Sequence, residues 1–207
     1  CDGGGLARGA PRALGGGQAQ GVVQGGSGAS YLLYSSVTPT RSAYVWRIAD
    51  DDTPGTPIRV GAGRAIEGGI AYHPASDTLG VLRIDTSRLV ASTVALPAGT
   101  VTDTVISPEA DFLVVPSIVA RDAASSFSFT VVYPLEPSTY TYSIQAVALG
   151  PSGTPVELAP TGRPWRAAMH AAATSTAGTV VVVWLEDAGG HAALLDAAGA
   201  ATGLGLV

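Results

Sequence analysis

Apolar and polar residues alternate along most of the chain with a period of two rather than 3.6. Tyr31-Leu32-Leu33-Tyr34, Ala43 to Ile48, Leu79 to Ile84, Phe112 to Val115, Phe127 to Tyr133 and Val180 to Trp184 are short runs rich in Val, Leu, Ile and Tyr. Clusters of Pro, Gly, Ser and Asp separate them, which predicts strands joined by turns. The 14 prolines are scattered through the sequence and work against long helices. Ala192 to Ala201 has helix-like spacing. Within it, Asp196-Ala197-Ala198-Gly199 fits a hairpin turn equally well. The pattern predicts an all-β domain over residues 29–207.

The strands recur. A displacement of 98 residues brings Tyr44 onto Tyr142, and Gly55-Thr56-Pro57-Ile58-Arg59-Val60 onto Gly153-Thr154-Pro155-Val156-Glu157-Leu158. Upstream, Ala29 to Tyr34 matches Ala110 to Val115, and weaker copies run from Ile70 to Gly99 and from Met169 to Gly203. Four units of roughly 49 residues, each with about four strands, have the period of propeller blades. A small β-propeller of about four blades is therefore expected, with a β-sandwich as the alternative. In the propeller, Val22-Val23-Gln24 would close the ring by pairing with the last unit.

The spacing also predicts an insertion. Tyr34 to Tyr44 spans 10 residues, whereas Val115 to Tyr142 spans 27, an excess of 17 in the third unit. Within the segment Pro116 to Ser138, Phe127, Phe129, Val131 and Tyr133 alternate with Ser126, Ser128 and Thr130. That is a strand with one aromatic face. It either folds back on its own blade or projects as an arm, with Phe127, Phe129, Val131 and Tyr133 as the partner-binding residues.

Composition narrows the function classes. The chain is 46% apolar and 13% charged, so it is not the charged, weakly hydrophobic kind that stays unfolded. A net charge of −5 with 11 basic residues argues against nucleic acid, which needs a clustered basic face. The longest aliphatic run, Val180 to Val183 followed by Trp184 and Leu185, is far short of the ~20 residues of a membrane helix. All 11 basic residues are Arg, and the chain has neither Lys nor Asn. Both missing residues use AT-rich codons, which points to a GC-rich bacterial genome. Without Asn there is no glycosylation sequon, and turns must be built from Gly, Asp, Ser and Pro.

Cys1 is the only cysteine, and 11 of the first 28 residues are Gly. This start resembles the mature N-terminus of bacterial lipoproteins. The resemblance implies that Cys1 carries lipid, that residues 1–28 are a disordered tether, and that the protein sits in the bacterial cell envelope, facing the periplasm or the exterior. Two or three acyl chains anchor stably where one is marginal, because each buried CH₂ contributes ~0.8 kcal/mol. A Gly-rich coil of ~20 residues spans roughly 25 Å, enough to hold a domain clear of the headgroups. Asp2 matches an inner-membrane retention rule of enterobacterial lipoproteins.

The repeats carry a second resemblance. Ser107-Pro108-Glu109-Ala110-Asp111-Phe112-Leu113-Val114-Val115 is similar to the opening of the WD40-like repeats of the TolB-type propeller. Tyr44 to Val60 resembles that repeat's continuation, a strand turning through Gly and Pro into the next. Ala110 stands where the family has a turn Gly. Membership would imply blades and protein binding rather than catalysis.

Candidate chemistry is sparse. The histidines are His73, His170 and His191, with no His-Glu-x-x-His or Cys-x-x-Cys, so no metal is expected. His73 and His170 stand 97 apart, at nearly equivalent repeat positions. Asp50-Asp51-Asp52 lacks the alternate spacing of a calcium loop and reads as a solvated turn. No Gly-x-Ser-x-Gly elbow is present, and a phosphate loop needs the missing Lys. Glu109 with Asp111, and Glu186 with Asp187, lie beside strand ends, where turn acids are common. No catalytic residue and no cofactor is expected. The sequence points to a lipid-anchored, non-catalytic envelope protein that binds or scaffolds another protein, for instance as a subunit of a membrane complex. The alternative is an all-β hydrolase or lyase of the envelope.

Overall fold

A computed structural model describes residues 17–37, 40–49, 51, 55–108, 115–121, 127–138, 141–150, 155–161, 170–173, 178–186 and 189–206. Cys1 and most of the expected tether lie outside them, as do Asp50, Asp52, Glu109, Asp111 and Asp187. The described residues are all-β, and their one helical element is the 3-10 turn Gly26–Gly28.

Among the described residues, four antiparallel sheets follow one another along the chain, each of four strands in sequence order. The first contains β1 (Gly17–Gln24), β2 (Ser30–Ser36), β3 (Ser42–Ile48) and β4 (Ile58–Ala62). The second contains β5 (Arg64–His73), β6 (Thr78–Asp85), β7 (Arg88–Ala95) and β8 (Thr100–Ser107). The third contains β9 (Ser117–Ala120), β10 (Phe129–Ser138), β11 (Thr141–Leu149) and β12 (Pro155–Thr161). The fourth contains β13 (His170–Ala173), β14 (Val180–Glu186), β15 (Gly189–Leu195) and β16 (Ala201–Leu206). The helix-like stretch resolves as a hairpin. The Gly199 amide donates to the Asp196 carbonyl at 2.9 Å, and Gly199 takes φ +89 between β15 and β16.

Two expectations at the N-terminus change. Residues 17–24 form β1, so the folded domain starts ahead of residue 29. Val22, Val23 and Gln24 pair with Leu32, Tyr31 and Ser30 of the neighbouring β2, not with the last unit.

The sheets stack in chain order, and burial records it. Along β2 buried and partly buried residues alternate, as expected of a sheet covered on one face. Along β6 and β7 burial is continuous from Leu79 to Arg83 and from Leu89 to Val94, because the second sheet is covered on both faces. The third sheet behaves likewise, from Ser128 to Pro134 and from Ile144 to Leu149. In β14 alternation returns, with Val180, Val182 and Trp184 buried and Val183 exposed.

Three hydrophobic clusters sit between successive sheets. Tyr31, Leu33, Ala43 and Val45 pack with Leu79, Val81 and Val94. Leu82, Leu89 and Ala91 pack with Phe129, Val131, Val147 and Leu149. Val132, Ile144, Ala146 and Ala148 pack with Val180, Val182, Trp184 and Leu195. Each fully buried Leu, Val or Phe contributes about 1.5–3 kcal/mol from apolar transfer alone. The first strands also run together: β1 lies against β5, β5 against β9 and β9 against β13.

Candidate functional site

Of the segment expected either to fold back on its own blade or to project as an arm, Phe129, Val131 and Tyr133 belong to the core. Phe129, Val131 and Tyr133 lie on β10, an interior strand of the third sheet between β9 and β11. Phe129 and Val131 are 0% exposed and Tyr133 is 8% exposed, all turned towards the second sheet. Phe127 is half-buried before the strand, with the Arg121 guanidinium 5.9 Å from its ring centroid. In this structure these four residues do not form a projecting docking face. The intervening Ser128 and Thr130 are buried too. Amphipathic spacing therefore does not mean an exposed polar face here, because both faces of β10 are covered.

The insertion dissolves with the arm. Carrying the 98-residue displacement through the whole unit places β2 on β10, β3 on β11 and β4 on β12. The equivalent of Tyr31 to Tyr34 is thus Phe129 to Val132, not the segment ending at Val115.

Two buried arginines tie neighbouring sheets together. Arg83 is 3% exposed on β6. Its Nη1 donates to the Ala62 carbonyl of the first sheet at 2.6 Å, and its Nη2 donates to the Asp103 carboxylate. Ser92 Oγ donates to the other Asp103 oxygen at 2.7 Å. Arg121 makes the corresponding link between the third and fourth sheets. Its Nε donates to Thr130 Oγ1 at 2.7 Å, and its two terminal nitrogens donate to the Ala197 and Asp196 carbonyls of the β15–β16 turn at 3.1 Å. Burial lowers the Arg121 guanidinium from its ordinary pKa, and the Asp196 charge opposes that shift. Charge-assisted bonds satisfy both cations, which explains how they remain in the core. The signal for Arg83 was present in the sequence, as the single charge inside the apolar run Leu79 to Ile84.

His73, the one histidine buried in a described sheet end, serves a turn. Its Nδ1 accepts the Ser76 backbone N–H at 3.2 Å and lies 2.7 Å from Ser76 Oγ, and its ring meets Phe129 edge-on. The His170 side chain lies outside the description. His191 stacks on Trp184, with ring centroids 5.5 Å apart. Among the described residues, no group of three or more His, Cys, Asp or Glu is placed to hold a metal ion.

One cleft opens beside the first strands. It encloses about 280 Å³, with Gln18 and Gln20 from β1, Arg64 and Glu67 from β5, and Pro116 along its walls. Arg64 and Glu67 are both exposed. The cleft presents amides and one charge of each sign, which suits polar binding. Its described lining includes no Ser, Thr, Cys or His, and Glu67 is its one group able to transfer a proton or act as nucleophile near neutral pH.

The outward face of the first sheet is the more distinctive surface. Register puts Val22, Leu32 and Trp46 in one row, and Ala19, Tyr34 and Tyr44 in the next. The Tyr34 and Tyr44 rings stack 5.3 Å apart, and Trp46 leans on Tyr34 at 6.3 Å. Trp46 Nε1 donates to the Gly55 carbonyl at 2.6 Å, which pins the β3–β4 loop to this face. Desolvation, followed by the neighbouring Tyr44, raises the Tyr34 pKa. The face groups these apolar and aromatic side chains beside Gln24, Ser30 and the exposed Arg59, and Val22 at its edge is 64% exposed. Sequence reasoning placed these residues on strands but did not separate the two faces. The alternation of Tyr34 with Leu33, and of Tyr44 with Val45, was the available signal.

No known protein family matches the chain, and no curated protein matches it.

Proposed function

We propose that this chain is a non-catalytic, propeller-type scaffold of the bacterial cell envelope, held to a membrane by lipid on Cys1. The observation that carries this reading is the succession of four-stranded sheets about a shared line of first strands. A propeller places the first strand of each blade near its axis and stacks blade on blade. The WD40-like resemblance of Tyr44 to Val60 supports it, since that stretch covers most of β3 and most of β4. The partly exposed Leu32, Tyr34, Tyr44 and Trp46, grouped beside the exposed Val22 on one face of the first sheet, support protein binding, because clustered apolar surface marks interaction sites. The cleft at Arg64 and Glu67 offers one carboxylate and one guanidinium, and its described lining holds no Ser, Thr, Cys or His beside them.

The test is made in cells. A photoreactive residue replaces Val22, and the envelope fraction is illuminated. A crosslinked protein adduct, together with added acyl mass on the Cys1 peptide, is the expected result. Release of Cys1→Ser into the soluble fraction completes it. An unmodified Cys1, or turnover of an envelope substrate abolished by Arg64→Ala or Glu67→Gln, overturns the reading.

A further inference from the structure

We infer that a second copy of this chain covers both end faces of the stack, so that two chains form one closed ring of eight sheets. The inference rests on the propeller reading and names the partner of the first sheet's aromatic face. The four sheets have eight faces, and the three clusters cover six of them. The remaining two are the outward faces of the first and fourth sheets. Among the described residues, neither face contributes to a cluster.

The occupant follows from continuity with the three contacts inside the chain. Each joins the trailing face of one sheet to the leading face of the next. The step is heterologous, and repeating it from the fourth sheet lands on a surface of the first-sheet type. A heterologous step closes into a ring when its rotation permits. Closure within one chain would bury both end faces, yet Val22 is 64% exposed and Val183 is 37% exposed. The described residues form no extensive contact between β13 and β1. A second copy supplies the same two faces in the complementary order.

The side chains also match. Two of the interior contacts set an aromatic group beside small ones. Phe129 crowds Gly80, where an added Cβ would stand 2.8 Å from its ring, and Trp184 shares a cluster with Ala146 and Ala148. On the end faces, the first sheet offers Tyr34, Tyr44 and Trp46, whereas the fourth offers the aliphatic Val181, Val183 and Leu194 beside the buried Ala192. A face seven residues long and four strands wide covers roughly 440 Å². Two such contacts, four faces in all, remove roughly 1,800 Å² from water, within the range of specific interfaces.

The test uses the full chain carrying Cys1→Ser, weighed by light scattering over a concentration series. The expected mass is twice 20.7 kDa. Val22→Arg and Val183→Arg lie on exposed positions of opposite end faces. Each is expected to halve the mass while leaving the circular dichroism spectrum unchanged. Mixing the two variants restores a dimer, because one wild-type pair of faces then meets. A wild-type monomer overturns the proposal, as does a dimer indifferent to both substitutions or an assembly larger than two. If the monomer's Val22 still crosslinks to a different envelope protein in cells, the scaffold reading stands and only the self-partner fails.

Discussion

At the scale of single residues, backbone geometry and charge set the sharpest constraints. Gly63 links the first sheet to the second with φ +96, and a Cβ there would overlap the Ile84 carbonyl. Gly68 also has a positive φ, +68, but nothing lies within 4 Å of its added Cβ. Both replacements by Ala incur the left-handed penalty of about 1–2 kcal/mol. Only Gly63→Ala must also push backbone aside, so its total loss should reach about 3 kcal/mol or more. Urea denaturation of the two variants measures the difference; equal losses would show that the overlap is relieved without cost. Tyr34 gives a pH signature. Its pKa is raised above the ordinary 10.0, so the folded state holds the phenolic proton more tightly than the unfolded chain. That contribution is complete below pH 10 and falls away as pH rises through the folded-state value. Tyr34→Phe should therefore flatten part of the alkaline decline in melting temperature. Its neutral-pH stability should move less, since the ring stack is kept.

At the scale of elements, the second strand of each unit shows what the sequence could and could not convey. The strands themselves were legible from alternation and turn residues, and the third and fourth strands of the first and third sheets fell into register through Tyr44/Tyr142 and the Gly-Thr-Pro turns. The second strand was not, because Phe112-Leu113-Val114-Val115 resembles Tyr31-Leu32-Leu33-Tyr34 in apolar content as closely as Phe129 to Val132 does. A period of two identifies strands but not their order. The serines and threonines of β10 added to the error. Thr130 reads as solvent-facing, yet it is 0% exposed because Arg121 reaches it from the end of β9. Such satisfaction across strands leaves no local trace. The corrected placement predicts that amides from Phe129 to Val132, paired to both β9 and β11, exchange among the slowest in the chain. Hydrogen exchange with mass spectrometry checks this, and rapid exchange there would return the segment to the surface.

At the scale of the molecule, each cluster joins only consecutive sheets, so stability should be transmitted from neighbour to neighbour, as in repeat proteins. Leu33 is 0% exposed in the cluster between the first and second sheets. Leu33→Ala should cost about 2–5 kcal/mol. Exchange should accelerate in the first two sheets well before the fourth. Uniform acceleration would mean that the sheets unfold as one unit. The candidate site was harder to read than the fold for a related reason. The aromatic face is the one that no other described sheet covers, and that is a property of the stack rather than of any strand. The order of the sheets has one more consequence, for biosynthesis. Every ladder among the described residues joins strands adjacent in the chain, so none of these four sheets waits for residues translated much later, and contact order within each stays low. A chain emerging N-terminus first can complete its first sheet before the second exists. Until Leu79 and Val81 arrive, Leu33 and Val45 have no cover, and the nascent protein exposes two apolar faces at once. The interval between one sheet and the next is therefore when this chain is most open to aggregation and has most use for a chaperone.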